Sequence, residues 1–159
     1  MRNQSEYINE IFVFNQPLTG WTYANARKQR TAIDFAHEIK KLLTVHFPNA
    51  IKIKLVSDNL NTHVPASLYK AFPAKGAREL LRRLEFHHTP KHGSWLNMAE
   101  ISISILARQC LNRRVPDLDT LNSEVNAWCT RQNSIHAPIN WQFTTEDARV
   151  KLRKLYPQV

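Results

Sequence analysis

Two short runs of apolar and aromatic residues, separated by a turn, dominate the first part of the chain. Residues 11–14 form a continuous apolar run, IFVF, which Pro17 closes. After Thr19 and Gly20, the segment WTYANAR alternates aromatic side chains with small or polar ones. Runs of this kind on either side of a turn are typical of paired strands. The pattern predicts a β-hairpin.

The next segment has the period of a helix. Thr31 is a residue type that caps helix N-termini, and Pro48 stops the pattern. This spacing predicts an amphipathic helix between them. Its apolar side chains recur every three or four residues, at Ile33, Ala36, Ile39 and Leu43.

A strand is predicted after that helix, and an acid follows its end. In IKIKLVS, residues 51–57, isoleucine and lysine alternate before Val56 follows Leu55 directly. That is the pattern of a sheet strand that becomes covered on both faces near its end. Asp58 therefore lies just past the carboxyl end of a strand.

The middle of the chain mixes helix and strand. A helical pattern from residue 66 to about 75 is broken by Gly76, and LEFHH at 84–88 predicts a short strand before the loop TPKHG. Strands that alternate with helices indicate the α/β class, a mixed sheet flanked by helices in three layers. We expect residues 1–159 to form a single domain.

Helices are predicted over most of the second half. The first, capped by Ser94, carries Glu100 at the margin of its buried stripe. The next begins near Asp117, and the last runs from Thr144 to near Pro157. The predicted buried positions are Leu96, Ala99, Ile103, Leu106 and Cys110 on the first of these helices and Leu118, Leu121, Val125 and Trp128 on the second.

Charge points to a polyanionic partner. The 159 residues hold 22 Lys and Arg against 13 Asp and Glu, a formal net charge of +9, so nucleic acid is the first candidate. No apolar run approaches the roughly 18 residues that span a bilayer, and the first residues lack the apolar stretch of a signal peptide. We expect a soluble, cytoplasmic protein whose Cys110 and Cys129 are reduced core thiols.

Two carboxylates occupy positions that could bind a metal ion. Asp58 follows a strand, and Glu100 lies at the edge of a buried helix face. Acids that converge from separate elements offer hard oxygen ligands to Mg²⁺, and phosphodiester chemistry uses such ions. Each also has an ordinary alternative. Asp58 can make an Asx turn within DNLN, and Glu100 can be a partly exposed helix residue.

Two longer motifs resemble a known family. DNLNTH at 58–63 and FHHTPKHGSWLNMAE at 86–100 resemble the catalytic core of the DDE transposases of bacterial insertion sequences, which are related to the mariner elements. The resemblance extends nearly over the whole chain beyond about residue 10. It includes TAIDFAHEI before the first motif, and ILARQCLNRR and INWQFTTEDARVKL after the second.

The resemblance implies a fold and a chemistry. The fold is ribonuclease-H-like, the core shared by integrases and transposases. Asp58 matches the second metal-binding acid of the family and Glu100 the third, with 41 residues between them. Both are expected to act as catalytic ligands of Mg²⁺ or Mn²⁺. The implied function is transposition, in which water cuts DNA at a transposon end and the freed 3′-hydroxyl attacks target DNA.

The sequence departs from this family in one respect. The first acid of the family lies on the first strand of the fold, ahead of the hairpin, and a DNA-binding helix-turn-helix region precedes it. None of the earlier acids offers a substitute, because two fall within the predicted helix and two at or before the wrong strand. We expect an N-terminally truncated catalytic core that binds metal weakly and is inactive alone. These acids are Glu6, Glu10, Asp34 and Glu38.

An alternative function follows from the same departure. The chain can be a non-catalytic DNA-binding or dimerising fragment that modulates full-length transposase. Loss of a strand would expose a sheet edge, so we expect a homo-oligomer or association with the full-length enzyme. DNA binding without cutting would favour this alternative.

Several polar residues near the two acids are candidates for supporting roles. Asn59 and His63 can orient a water or a DNA phosphate, or only hold their loop together. Asn97, three residues before Glu100, can support that carboxylate or simply face solvent. A further group of basic residues can contact DNA phosphates or form only a solvated basic face. The group comprises Lys91, His92, Arg108, Arg27, Lys28, Arg30, Arg113 and Arg114.

A zinc site is the less favoured interpretation of the histidines. Neither the paired spacing on a helix nor a C-x-x-C partner accompanies them. Polar lining near phosphates is favoured instead. The histidines concerned are His63, His87, His88 and His92.

Overall fold

Strands and helices alternate along the computed structural model, which describes residues 9–58, 60–89 and 99–135. The predicted residues Asn59, Lys91, His92 and Asn97, the cap Ser94 and the last predicted helix lie outside these ranges. The elements in order are β1 (Glu10–Gln16), β2 (Trp21–Arg27), α1 (Ala32–Lys41), β3 (Ile53–Ser57), α2 (Ala66–Ala71), α3 (Ala74–Arg82), β4 (Leu84–His88), α4 (Ala99–Gln109) and α5 (Leu118–Ile135).

The predicted hairpin is confirmed. β1 and β2 pair antiparallel in register from Glu10 opposite Arg27 to Gln16 opposite Trp21. The turn between them needs a residue with positive φ, and Gly20 supplies it at φ 75°. A side chain at that position would strain the backbone, so the glycine fixes the hairpin register.

The second sheet is also two-stranded. β3 and β4 pair in parallel, from Ile53 opposite Leu84 to Ser57 opposite His88. Parallel neighbours need a crossover connection, and α2 and α3 provide it. In the part of the chain that the structure describes, β1 and β3 each pair along one edge and carry an unpaired second edge.

Specific side chains cap the start of helix α1 and hold the segment that follows it. Thr31 and Asp34 form a capping box, in which the Thr31 side chain accepts from the Asp34 N–H and the Asp34 carboxylate accepts from the Thr31 N–H. A π-helical turn, Leu42–His46, continues the helix. The Arg83 guanidinium donates hydrogen bonds of 2.7–3.1 Å to carbonyl oxygens of this turn and of the loop after it. The acceptors are the carbonyl groups of Leu43, Phe47, Pro48 and Ala50.

Apolar residues of the hairpin pack into two clusters on its opposite faces. Phe12 belongs to a cluster with Phe35 and Ile39 of α1. Ile11 and Val13, which alternate with it, pack instead against the cluster formed by α4 and α5. The described part therefore has helices on both sides of its strands, a mixed α/β arrangement that agrees with the predicted class.

Four predicted details are wrong. Val56, expected where β3 becomes covered on both faces, is 53% exposed. Gly76 lies inside α3 rather than at a break, and the interruption falls at Pro73, which cannot continue a helix because it lacks an N–H. Ile33, predicted to face inward on α1, is exposed. On α4 the buried stripe is rotated: Leu106 and Cys110 are buried as predicted, whereas Ser102 takes the buried place assigned to Ile103.

Among the described residues, no helix has both the length and the apolar character needed to cross a membrane.

Candidate active site

A cavity of about 680 Å³ separates the two sheets, and we call it the groove. One side consists of β1 and Pro17, and the other of residues 52–58, which include β3. Further lining comes from α1 and its π turn, and from the start of α4. These residues are Phe35, Leu42, Ala99, Glu100 and Ile103.

Ring contacts at the two ends of the groove give the relative direction of β1 and β3. Trp21, opposite the last residue of β1, contacts Phe47 just before β3, with ring centroids 4.8 Å apart. Phe12, near the start of β1, lies 6.3 Å from His63, which follows β3. β1 and β3 are therefore antiparallel across the groove. Asp58 lies at the end where β1 begins.

Asp58 is oriented by a histidine from the loop after it. The Oδ1 atom of Asp58 lies 2.7 Å from Nδ1 of His63. The imidazole is fixed in turn, because it stacks on Phe35 with ring centroids 4.7 Å apart. When Nδ1 donates this bond, the buried Nε2 is a free acceptor, and it has no partner among the described residues. His63 thus holds the carboxylate of Asp58 in place, a contact of the kind expected if the residue holds its own loop together.

Glu100 reaches the same groove from a different element. It is the second described residue of α4, and it is exposed. Asp58 has 39% of its side chain exposed, so both carboxylates are open to solvent at the groove. The two acids therefore line one cavity, although they come from separate elements.

The earlier acids divide into two groups. Glu10 also lines the groove, and its carboxylate lies 3.8 Å from Arg30. Asp34 and Glu38 are on α1, as predicted, and face Arg27 instead. None of these three joins Asp58 and Glu100 as a metal ligand.

The donor set fits a loosely held hard cation. Two exposed carboxylates on one cavity supply oxygen ligands of the type that Mg²⁺ and Mn²⁺ prefer. Among the described residues, no three acidic, histidine or cysteine side chains stand close enough together to hold a metal ion. The remaining ligand positions would therefore fall to water or to DNA phosphate oxygens.

The predicted DNA contacts have different environments. Arg108 is exposed on α4 and donates to the Ser104 carbonyl at 3.3 Å, two helical turns beyond Glu100 and away from the groove lining. Arg27 is not a free surface cation as predicted, because its guanidinium bonds Glu38 at 2.6 Å. Arg113 is paired with Glu124.

The three described histidines of the zinc interpretation have separate partners. His63 bonds Asp58, whereas His88 lies 3.3 Å from the Ser57 hydroxyl across the β3–β4 pair. His87 lies 2.6 Å from Glu85, and this hydrogen bond lowers the pKa of the Glu85 carboxyl. The fourth, His92, lies outside the described residues.

A buried carboxylate in the core escaped the sequence interpretation. Glu38 has no exposed surface, and it accepts from Asn25 and Arg27 at 2.6 Å and from the Tyr23 hydroxyl at 3.2 Å. Burial and the Glu38 charge raise the pKa of Tyr23. The signal was present in β2, since Tyr23, Asn25 and Arg27 alternate and so share one face. This network is structural, because it lies outside the groove.

A family comparison decides what kind of protein carries this site. The family model of the DDE superfamily endonucleases matches residues 3–122. The chain belongs to this family. The matched range includes both Asp58 and Glu100, whereas the stretch 139–152 that also resembles transposases lies beyond it. DDE endonucleases act on DNA and typically use divalent metal ions. Neither the comparison with curated proteins nor that with solved structures gave a match.

Proposed function

We propose that this DDE endonuclease chain is part of the catalytic core of a transposase of the insertion-sequence type. The function of the complete core would be metal-dependent cleavage and transfer of DNA strands at transposon ends and target DNA. One observation carries the proposal: Asp58 and Glu100, from separate elements, line the same groove in a chain of a DNA-cleaving family. Mg²⁺ or Mn²⁺ would be held between these carboxylates.

The proposed fold is ribonuclease-H-like with one strand not supplied by these residues. The two sheets of the described part turn the unpaired edges of β1 and β3 toward one groove. An additional strand there would join them into a single sheet. This arrangement supports the expectation that the first strand of the fold, and the acid it carries, are missing.

The residues of the site have distinct tasks in such a reaction. Bound Mg²⁺ would neutralise phosphate charge and favour in-line displacement at phosphorus. His63 fixes one oxygen of Asp58 and leaves the other free for a ligand. In that displacement a water or 3′-hydroxyl oxygen would bond phosphorus as the P–O3′ bond breaks. The proton lost by the attacking oxygen would pass through solvent to the leaving oxygen, which departs as a 3′-hydroxyl.

Two carboxylates supply too little charge for a tightly held pair of ions. We therefore propose that the chain alone binds metal weakly, binds DNA and does not cut it. The net charge of +9 favours phosphate binding whether or not the site is complete. This charge also supports the second candidate, a non-catalytic fragment that binds DNA or pairs with full-length transposase and so modulates it.

Replacing Glu100 with glutamine is expected to weaken Mn²⁺ binding by about tenfold or more, because one of two charged ligands becomes neutral. The measurement is a titration of free Mn²⁺ by electron paramagnetic resonance. The matched control is Glu79→Gln, an exposed acid on α3 outside the groove, which should leave the affinity unchanged. Equal Mn²⁺ affinity of the Glu100→Gln variant and the parent would refute the shared site.

A further inference from the structure

The outer edge of β2 is covered by a helix. Among the described strands, β2 pairs only with β1, so no strand lies along its other edge. Helix α5 packs along β2 instead. Asn122, near the start of α5, contacts Ala26, whereas Asn133, near its end, contacts Thr22. The helix and the strand therefore run in opposite directions along this edge.

Two asparagine side chains of α5 each form a pair of hydrogen bonds with one residue of β2. The Oδ1 atom of Asn133 accepts from the Thr22 N–H at 2.8 Å, and its Nδ2 donates to the Thr22 carbonyl at 2.9 Å. Asn122 makes the same pair of bonds with Ala26, at 2.8 Å and 3.0 Å. An antiparallel neighbouring strand offers one residue the same two bonds. The two asparagines therefore take the place of strand residues.

Cys129 contacts the edge between these two asparagines. Ala24 presents its backbone groups to the same edge as Thr22 and Ala26, because hydrogen bonding in an antiparallel strand alternates from residue to residue. Burial raises the pKa of the Cys129 thiol to about 11, and a hydrogen bond to the Ala24 backbone opposes this rise. Residues 122–133 span about 16 Å of helix, and residues 22–26 span about 13 Å of strand. One face of α5 thus covers all three outward-facing residues of β2.

The sequence of β2 lacks the usual protection of a sheet edge. Exposed edge strands commonly carry lysine or proline, which keep other strands from pairing with them. Residues 21–26 contain neither a charged residue nor a proline. The three outward-facing residues are small and buried, each 4% exposed or less. Without α5, this edge would have nothing to repel a second strand.

We propose that Asn122, Cys129 and Asn133 form a latch that holds α5 on β2, and that release of this latch lets β2 pair with β2 of a second copy. The edge is self-complementary. When two copies of β2 meet antiparallel about Ala24, Thr22 of one copy pairs with Ala26 of the other. This contact has two-fold symmetry and closes as a dimer. The latch lies outside the groove, so the inference does not depend on metal or DNA binding.

The first test is amide hydrogen exchange, followed by nuclear magnetic resonance at low protein concentration. The variant is the whole chain with Asn122→Ala and Asn133→Ala, which removes all four asparagine hydrogen bonds to β2. We expect the Thr22 and Ala26 amides to exchange at least about tenfold faster than in the parent. The Tyr23 amide faces β1 and should keep its rate, because the β1–β2 pair is unchanged.

The matched control is Asn126→Ala on the same helix. Asn126 is exposed, and its side chain makes no hydrogen bond within the described residues. Alanine there should leave the exchange rates of β2 unchanged. If the double variant fails to fold, Asn133→Ala alone decides, because it keeps the Asn122 contact. That variant should speed exchange at Thr22 and leave Ala26 unchanged.

The second test is self-association, measured by sedimentation velocity over a range of concentrations. The double variant is expected to dimerise at concentrations at least about tenfold lower than the parent, because more of its chains have a free β2 edge. Hydrogen exchange locates the contact. Raising the concentration of the variant should slow the exchange of Thr22 and Ala26 again, as the second copy takes up their backbone groups.

Several results would overturn the inference. Unchanged exchange of Thr22 and Ala26 in the double variant would show that the asparagines do not hold α5 on β2, as would an equal effect of Asn126→Ala. Faster exchange without stronger dimerisation would exclude a second copy as the partner of the edge. Dimers in which the Thr22 and Ala26 amides stay unprotected would place the association elsewhere and would contradict pairing through β2.

Discussion

Replacing Glu38 with alanine is expected to lower the free energy of unfolding by about 3–4 kcal/mol. The carboxylate is completely buried, and it is the common acceptor for the Tyr23 hydroxyl, the Asn25 amide and the Arg27 guanidinium. Its removal leaves these donors without that acceptor at the contact between α1 and β2. Urea unfolding followed by circular dichroism measures the change.

The control for this prediction is Glu79→Ala, an acid at an exposed position on α3. It should change the free energy of unfolding by less than about 0.5 kcal/mol. A loss at Glu38 no larger than the loss at Glu79 would show that the network does not stabilise the fold. The variant Glu38→Gln keeps the shape and removes the charge, so an intermediate loss is expected.

Replacing Arg83 with alanine is expected to lower the free energy of unfolding by about 2–3 kcal/mol. Its guanidinium donates at 2.9 Å to Ala50, at 3.0 Å to Leu43 and at 2.7 Å to Phe47. These carbonyl groups belong to the π turn and to the loop before β3. Without Arg83, the connection from α1 to β3 loses most of its side-chain hydrogen bonds.

Thermal and urea unfolding of the Arg83→Ala variant measure this effect. The exposed Arg78 of α3 provides the matched control, since alanine there removes the same side chain without a described hydrogen bond. Comparable stability of the two variants would contradict the role of Arg83.

The elements whose apolar residues recur at a regular spacing were predictable from sequence. The hairpin, α1, β3, β4 and α5 follow from the spacing of apolar residues and from turn and cap residues. Gly76 misled the prediction because glycine usually ends helices, yet here a side chain at that position would meet open space. The helical pattern is interrupted at Pro73, because proline lacks the N–H that a continuing helix needs as a hydrogen-bond donor.

The rotation of α4 has a physical cause that sequence alone could not supply. Periodicity assigned Ile103 to a buried stripe, whereas in the structure it faces the groove. Val56 is exposed for the same reason, although its place next to Leu55 predicted a strand covered on both faces. Both side chains are apolar, yet in the described part of the chain Val56 is 53% exposed and Ile103 is 41% exposed.

The placement of the two acids was predictable from sequence, but their side-chain contacts were not. The strand pattern of residues 51–57 placed Asp58 just past a strand end. The helical spacing around Glu100 placed that residue at the edge of a buried helix face. Neither pattern indicates the hydrogen bond from His63 to Asp58 or its stacking on Phe35, because these contacts join a loop to a helix distant in sequence. Likewise, Arg27 looked like a phosphate ligand, and only the fold brings it to Glu38.

Incubation of supercoiled plasmid with the purified chain tests the central claim most directly. The comparison is between Mg²⁺, Mn²⁺ and no metal, with the parent chain and Asp58→Asn. The account predicts binding that weakens at least about tenfold between 50 and 200 mM salt, with no nicking. Metal-dependent nicking that Asp58→Asn abolishes would contradict it, because the described carboxylates would then suffice for cleavage.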